Sequence, residues 1–288
     1  MPTTLSPLRY PGGKTKFYSY VKQILECNNL LGQTYIEPFA GGAGLAIKLL
    51  INGDVKRIVI NDYDPAIYAF WYSVLNYTED LCNLIIETDI TPDEWQRQRG
   101  IYLQHNVANT LELGFSTFYL NRTNIAGVIK GGMIGGLKQE GIYSICARFN
   151  KPNLIQKIQD ISKYRKNIVL YNLDAKELLQ PEYLNRFYKA FINFDPPYVR
   201  KGAQLYQNSF NEEDHRALSE RISRCGRKWI VTYDVCSLVT DLYSNYRFSY
   251  LDVTYTVQNS KKAKEFIFFS NNLNLPEDIK LFPTSIEA

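Results

Sequence analysis

The sequence predicts an α/β protein built on a mostly parallel β-sheet that ends in an antiparallel hairpin. Three observations support this prediction: short apolar runs alternate with helix-like stretches, a glycine-rich segment follows the first run, and acidic residues stand at the ends of several runs. Alternating strands and helices are typical of a parallel sheet with helices on both faces.

Seven apolar segments are predicted strands: residues 34–37, 57–61, 167–171, 189–195, 228–233, 248–256 and 265–270. The first five are separated by helix-like stretches such as residues 44–52 and 212–224, which predicts parallel pairing. Only the polar segment 258–264 separates the last two strands. That short connection predicts a hairpin at the end of the sheet.

The segment between the second and third predicted strands differs from the rest of the chain. Residues 100–141 hold eight of the 17 glycines, and residues 95–165 carry ten basic side chains against three acidic ones. The net charge of +4 therefore averages a basic segment of +7 with a slightly acidic remainder. We predict an inserted domain at residues 76–165, with residues 1–75 and 166–288 forming the domain that it interrupts.

Composition excludes several classes of protein. No stretch reaches the roughly 18 apolar residues of a membrane span, and the first residues lack the pattern of a signal peptide. The five cysteines are odd in number and contain no Cys-x-x-Cys pair, so we expect reduced thiols and a cytoplasmic location. Two histidines give little basis for a metal site or a Ser-His-Asp triad.

The first motif with chemical content runs from Ile36 to Leu45, between a predicted strand and a helix. Its residues Phe39, Gly41 and Gly44 fall where a ligand can approach the backbone closely, near the free N–H groups of a helix N-terminus. The spacing is not Gly-x-Gly-x-x-Gly, so a dinucleotide is disfavoured. The alternative is a tight turn that serves packing alone.

Two further acidic positions stand at strand ends. Asp62 follows the second strand, where a carboxylate can accept hydrogen bonds from ribose hydroxyls, although Asp62 or Asp64 could also cap the next helix. Asp195-Pro196-Pro197-Tyr198 follows the fourth strand. The prolines stiffen the backbone, so an acid, a carbonyl and an aromatic face would suit methylation of an exocyclic amine. The alternative is a strand that simply ends at prolines.

The order of these motifs resembles that of the Dam-type (D12 class, alpha-group) DNA adenine-N6 methyltransferases. The resemblance covers nearly the whole chain. It rests on the segments Arg-Tyr-Pro-Gly-Gly-Lys at 9–14, Glu-Pro-Phe-Ala-Gly-Gly-Ala-Gly at 37–44 and Asp-Pro-Pro-Tyr at 195–198, and continues in 118–124, 147–150, 209–215 and 262–267. It implies a Rossmann-like fold that uses S-adenosyl-L-methionine and methylates N6 of a flipped adenine in double-stranded DNA.

The resemblance also implies roles for individual residues. Tyr10 and Lys14 would border the methionine part of the cofactor, Phe39, Gly41 and Gly44 would shape its pocket, and Asp62 would hold the ribose. Asp174 would contact the adenine ring of the cofactor, although the sequence around it matches the family's motif less closely. Asp195, Pro196, Pro197 and Tyr198 would form the catalytic tetrad, with Asp195 also at the cofactor.

The insertion would be the target-recognition region, with Arg122, Asn124, Lys130 and Arg148 contacting DNA; the alternative for each is a solvated loop. Its central residues depart from the family's best-known pattern, so a GATC target is not implied. We expect a monomer, no membrane partner, and possible pairing with a cognate restriction endonuclease. The alternatives are a cytosine-N4 methyltransferase and a non-catalytic DNA-binding relative.

Overall fold

The computed structural model describes residues 4–9, 17–106, 108–199, 210–255, 261–277 and 279–282. The strands in these residues are β1 (Thr34–Glu37), β2 (Arg57–Asn61), β3 (Ile168–Tyr171), β4 (Ala190–Phe194), β5 (Lys228–Asp234), β6 (Arg247–Tyr255) and β7 (Lys261–Phe269). They form one sheet in the order β3-β2-β1-β4-β5-β7-β6. The first five strands are parallel, and β7 pairs antiparallel with both β5 and β6. The predicted architecture is therefore confirmed.

The helices connect and cover these strands. They are α1 (Tyr18–Cys27), α2 (Gly44–Ile51), α3 (Pro65–Asn76), α4 (Thr78–Glu87), α5 (Pro92–Leu103), α6 (Thr110–Thr123), α7 (Lys151–Ser162), α8 (Ala175–Leu178), α9 (Pro181–Leu184), α10 (Glu212–Ser223) and α11 (Ser237–Leu242). Short 3-10 helices occupy Ile125–Gly127, Ile145–Arg148 and Arg165–Asn167. No helix in the described part of the chain is long and apolar enough to cross a membrane.

The two faces of the sheet bury separate cores because alternate residues of a strand point to opposite sides. Tyr35 and Ile58 belong to the first core, where residues from α1 to α7 cover the sheet. Ile36 and Val59 belong to the second core, which α8 to α11 complete. The apolar runs of β1, β2 and β4 are buried along their length, as expected for central strands of a parallel sheet.

The predicted insertion consists mainly of helices α4 to α7 and the loops between them. Its helix α6 packs closely on α3, and the rings of Phe70 and Phe118 stack with centroids 5.8 Å apart. Tyr102, Phe115 and Tyr119 are buried there too, so this aromatic cluster belongs to the core. These residues belong to the same core as the first face of the sheet. The structure therefore does not separate the insertion from the rest of the chain, and the domain limits 76 and 165 stay a prediction.

One local prediction was wrong. Residues 261–264 were expected in the polar loop of the final hairpin, but β7 begins at Lys261 and pairs with β6 as far as Tyr255. The backbone hydrogen bonds of the ladder override the weak strand preference of the lysines. Residues 256–260, including the end of the sixth predicted strand, lie outside the described residues.

Candidate active site

Asp62 and Asp195 lie where the order of the strands reverses. β1 lies between β2 and β4, so the chain leaves neighbouring strands at Glu37, Asn61 and Phe194 on the same edge of the sheet. Ligands bind at this carboxyl edge of open α/β sheets, at the point where the winding changes direction. Asp62 and Asp195 are the first residues beyond β2 and β4 and therefore lie at this edge of the sheet.

The turn between β1 and α2 has the tight geometry that its glycines predicted. Gly41 has a φ of 45°, in the left-handed region that favours glycine, and Gly44 is the first residue of α2. Ala43 shares the left-handed conformation (φ 45°), which is strained for a residue with a Cβ atom. The Trp71 indole donates a hydrogen bond of 2.8 Å to the Gly41 carbonyl, which holds the turn against α3.

Asp62 fastens this turn to the end of β2. Its carboxylate accepts hydrogen bonds from the backbone N–H of Gly41 (2.8 Å) and of Asp64 (3.0 Å). Burial, with repulsion from Asp64, raises the pKa of the Asp62 carboxyl to about 7. Asp64, not Asp62, caps α3 by accepting from Ala66 N–H at 2.8 Å. The helix-cap alternative therefore applies to Asp64.

Phe39 and Asp174 border the same edge. The half-buried ring of Phe39 packs edge-on against Phe210, with centroids 5.9 Å apart. Asp174 lies beyond β3, caps α8 by accepting from Lys176 N–H at 2.7 Å, and leaves 41% of its side chain exposed. Tyr10 and Lys14, the remaining residues expected at the cofactor, lie outside the described residues.

Asp195 begins the segment that carries the predicted catalytic tetrad. Its Oδ1 accepts a hydrogen bond of 2.7 Å from the Thr232 hydroxyl on β5. Glu37 is buried at the end of β1, where the Tyr35 hydroxyl donates to its Oε1 at 3.1 Å. Burial, together with repulsion from Asp195, raises the pKa of Glu37 to about 8. A pKa of about 8 favours the neutral form of Glu37 at neutral pH.

The rest of the tetrad is tied to the strands beyond β4. The hydroxyl of Tyr198 donates to Glu265 Oε1 on β7 at 2.6 Å, and Val199 N–H donates to Asp234 Oδ1 on β5 at 3.0 Å. Pro196 is buried and Tyr198 is 5% exposed. The sequence assigned no partner role to Asp234, Glu265 or Thr232. The available signals were an acid at the end of an apolar strand for Asp234 and the segment 262–267 for Glu265.

The predicted DNA contacts lie on the insertion and differ in accessibility. Lys130 and Arg148 are exposed, whereas Arg122 is partly buried and donates from its guanidinium to the Arg148 carbonyl. Burial, with repulsion from Arg9 and Arg148, lowers the pKa of Arg122 to about 9. Lys130 and Arg148 are therefore accessible at the surface, whereas the Arg122 guanidinium is engaged by the Arg148 carbonyl.

Asn124 does not have the predicted geometry of a DNA contact. It is fully buried, its amide donates to the carbonyls of Val128 and Ile129, and its carbonyl accepts from the Trp95 indole at 2.6 Å. All the hydrogen-bonding capacity of its amide N–H groups is thus used inside the loop. Asn124 shapes the segment between α6 and Lys130 and does not reach a base edge in this conformation.

The insertion is joined to the N-terminal motif by hydrogen bonds. The Asn121 side chain on α6 accepts from Arg9 N–H at 2.8 Å and donates to the Arg9 carbonyl at 2.7 Å. Arg9 also donates to the Asn124 carbonyl at 3.0 Å. The residue that precedes Tyr10 is therefore held by the predicted target-recognition region.

A doubly wound sheet with an Asp-Pro-Pro-Tyr segment at its switch point defines a methyltransferase that acts on an exocyclic amine. The chain belongs to the D12 class N6 adenine-specific DNA methyltransferase family, whose model matches residues 10–259. It is also similar to the Type II methyltransferase M.MjaIII of Methanocaldococcus jannaschii, with 24% identity over 236 residues that cover 74% of this chain and 77% of the relative. The enzyme therefore methylates adenine N6 in DNA, and the cytosine-N4 and non-catalytic alternatives are not supported.

Two solved structures resemble the chain over most of its length. The rRNA methyltransferase aviRa of Streptomyces viridochromogenes has a TM-score of 0.36 and 12% identity, covering 90% of this chain and 85% of that one. The protein LPL1258 of Legionella pneumophila has a TM-score of 0.31 and 10% identity, covering 88% and 85%. Both TM-scores are too low to assign a fold, so we assign the fold from the strand order of the sheet.

Proposed function

We propose that this enzyme transfers the methyl group of S-adenosyl-L-methionine to N6 of one adenine within a specific site of double-stranded DNA, after flipping that adenine out of the helix. The observation that carries the proposal is the placement of Asp195-Pro196-Pro197-Tyr198 directly beyond β4, beside the acidic ends of β1 and β2. An amino group paired inside a duplex cannot reach such a site, so flipping is required, at a cost of a few kcal/mol.

The residues at the carboxyl edge fit a cationic nucleoside cofactor. Asp62 has two oxygens with spare lone pairs for ribose hydroxyls, even while each accepts a backbone N–H. Gly41 and Gly44 leave space for close approach to the backbone, Phe39 offers an aromatic face, and Asp174 is exposed enough to meet a base. Tyr10 and Lys14 would hold the methionine part. S-adenosyl-L-methionine, when bound, supplies the sulfonium methyl group.

The protein would contribute hydrogen-bond acceptors that are held in place before the target amino group arrives. The Asp195 carboxylate and the Pro196 carbonyl would accept hydrogen bonds from the two N6–H groups, which withdraws the nitrogen lone pair from the adenine ring and makes it the nucleophile. N6 would bond to the methyl carbon as the carbon–sulfur bond of the donor breaks, and one N6 proton would pass to the Asp195 carboxylate. Tyr198 would stack on the flipped base, and Pro197 would keep the segment stiff. Because Asp195 is held by Thr232 before substrate arrives, it is ready to stabilise the positive charge that develops on N6.

Arg122, Arg148 and Lys130 would face the DNA, where they neutralise phosphates or reach base edges. The Type II relative supports pairing with a restriction endonuclease of the same specificity. A monomer is sufficient for this reaction. All five cysteines are free thiols, which supports a cytoplasmic location.

The variant Asp195→Ala tests the proposed function. We expect it to abolish transfer of tritiated methyl groups to DNA, while S-adenosyl-L-methionine still raises the melting temperature, by less than in the wild type. The control is Asp241→Ala, which removes an exposed acid from α11. Full activity of Asp195→Ala would refute the mechanism. Long-read methylation sequencing of DNA from expressing cells identifies the base and the recognition sequence together.

A further inference from the structure

Two buried carboxylates face each other at the end of the sheet. Asp234 on β5 and Glu265 on β7 are direct partners in the antiparallel register, and they are 8% and 1% exposed. Like charges directly opposite across strands are destabilising, and a buried carboxylate is costly unless it is hydrogen-bonded. The sheet alone gives no reason to hold two acids at this place.

Both carboxylates bind the catalytic segment. Glu265 accepts from the hydroxyl of Tyr198 at 2.6 Å, and Asp234 accepts from the next backbone N–H, that of Val199, at 3.0 Å. The bond to Glu265 joins residues 67 positions apart. It attaches the segment beyond β4 to the C-terminal hairpin.

We infer that Glu265 is a positioning residue: its hydrogen bond to the Tyr198 hydroxyl holds the ring in the orientation against which the flipped adenine stacks, and Asp234 holds the adjoining peptide. A phenylalanine would offer the same ring face for stacking, so stacking itself does not need the hydroxyl. A ring held at both its Cα atom and its hydroxyl cannot swing away when the base enters. This inference rests on the proposed function and assigns a role to the acid of the Lys-Ala-Lys-Glu-Phe-Ile motif at 262–267.

Three variants separate positioning from support of the hairpin. Tyr198→Phe removes the bond from one side and Glu265→Ala from the other, whereas Glu265→Gln keeps an acceptor oxygen. We expect kcat to fall about tenfold in the first two, as for loss of one charge-assisted hydrogen bond, with KM for S-adenosyl-L-methionine unchanged. Glu265→Gln should recover most of kcat. The control Glu220→Gln changes an exposed acid on α10.

The coupling between the two residues gives the decisive readout. The double variant Tyr198→Phe with Glu265→Ala should have about the same kcat as the less active of the two single variants, because both substitutions break the same hydrogen bond. A duplex with 2-aminopurine in place of the target adenine should show a changed fluorescence on binding in the wild type and a smaller change in both single variants. If Glu265 only supported the hairpin, Glu265→Ala would lower the melting temperature, and the losses of kcat in the two single variants would not be coupled.

The outcomes distinguish the inference from the proposed function. If Tyr198→Ala is as active as the wild type, the stacking role of Tyr198 fails, and the inference fails with it. If Tyr198→Ala is inactive but Tyr198→Phe keeps wild-type kcat and fluorescence, the stacking role stands and the positioning role of Glu265 is overturned. Additive losses in the double variant would also overturn it. Should Glu265→Ala not fold, Tyr198→Phe and Glu265→Gln still decide the question.

Discussion

The Thr232 hydroxyl on β5 donates a hydrogen bond of 2.7 Å to the carboxylate of Asp195, the first residue beyond β4. Thr232 is 1% exposed, so this bond is shielded from water. The two strands are parallel neighbours, with Phe194 opposite Val231. The strand register therefore places the hydroxyl beside the acid, and the bond fixes the plane of the carboxylate that would accept an N6 hydrogen.

Replacement of Thr232 by valine keeps the shape of the side chain and removes the hydroxyl. We expect Thr232→Val to lower kcat by about ten- to a hundredfold, because a hydrogen bond to a charged group is worth about 1.5–3 kcal/mol. Thr232→Ser retains the donor and should keep most of kcat. Steady-state kinetics with tritiated methyl donor measure both, and equal activity of the valine and serine variants would contradict the assigned role.

A group of cations on the insertion and on the adjoining N-terminal segment should bind phosphate. Arg9, Arg122 and Arg148 repel one another, and burial, with repulsion from Arg122, lowers the pKa of Lys157. An anion would relieve this repulsion. We expect Arg122→Gln to weaken DNA binding and to reduce the slope of log K against log salt by about 0.9, the value for one phosphate contact.

Fluorescence anisotropy with labelled duplex from about 50 to 200 mM salt, the range over which phosphate contacts are resolved, measures this slope. The matched control is Arg216→Gln, an exposed arginine on α10. An unchanged slope in Arg122→Gln would show that the Arg122 side chain does not contact a DNA phosphate and only donates a hydrogen bond to the Arg148 carbonyl.

The buried Glu37 should make stability depend on pH. Burial raises its pKa from 4.5 to about 8, so between these values the folded protein binds a proton that the unfolded chain releases. The free energy of unfolding is therefore highest, as far as Glu37 contributes, below pH 4.5. It falls as the pH rises toward 8, by at most about 1.4 kcal/mol for each pH unit.

Glu37→Gln cannot ionise and should remove this loss. Urea unfolding at pH 5 and pH 8.5 should show a smaller fall in the free energy of unfolding for Glu37→Gln than for the wild type. Glu87→Gln, which replaces an exposed acid at the end of α4, is the control. A fall as large as that of the wild type would contradict a neutral Glu37 in the folded protein.

Gly114 permits the close contact between α6 and α3. A Cβ atom at this position would lie 2.5 Å from the Ser73 hydroxyl oxygen and 2.6 Å from the Ala69 carbonyl oxygen. We expect Gly114→Ala to lower the free energy of unfolding by about 1–3 kcal/mol, as overpacking does, although alanine has the better helix propensity.

The control for helix propensity is Gly100→Ala on α5, where the added Cβ would meet nothing within 4 Å beyond its chain neighbours and the backbone of its own helix. This variant should stabilise the protein by up to about 1 kcal/mol. Urea unfolding curves compare the two variants directly. Equal effects of both substitutions would show that α6 can move away from α3 without cost.

Much of the fold could be predicted because its signals are local. Apolar runs bounded by glycine, proline and polar residues mark strands, and all seven predicted strands are present with ends within a few residues. The Gly41 turn and the acids beyond β2 and β4 follow from the same local pattern. The error at residues 261–264 arose because these residues extend the ladder with β6, and a strand held by backbone hydrogen bonds to a partner needs little local preference.

By itself, the sequence determined the class of fold, the family motifs and their order, since these depend on neighbours along the chain. Only the tertiary structure decided which side chains act together. It brought Thr232, Asp234 and Glu265 to the segment beyond β4 and buried Asn124 inside its loop. The contacts of Thr232, Asp234 and Glu265 join residues far apart in sequence through strand register and packing, which no local pattern of residues encodes.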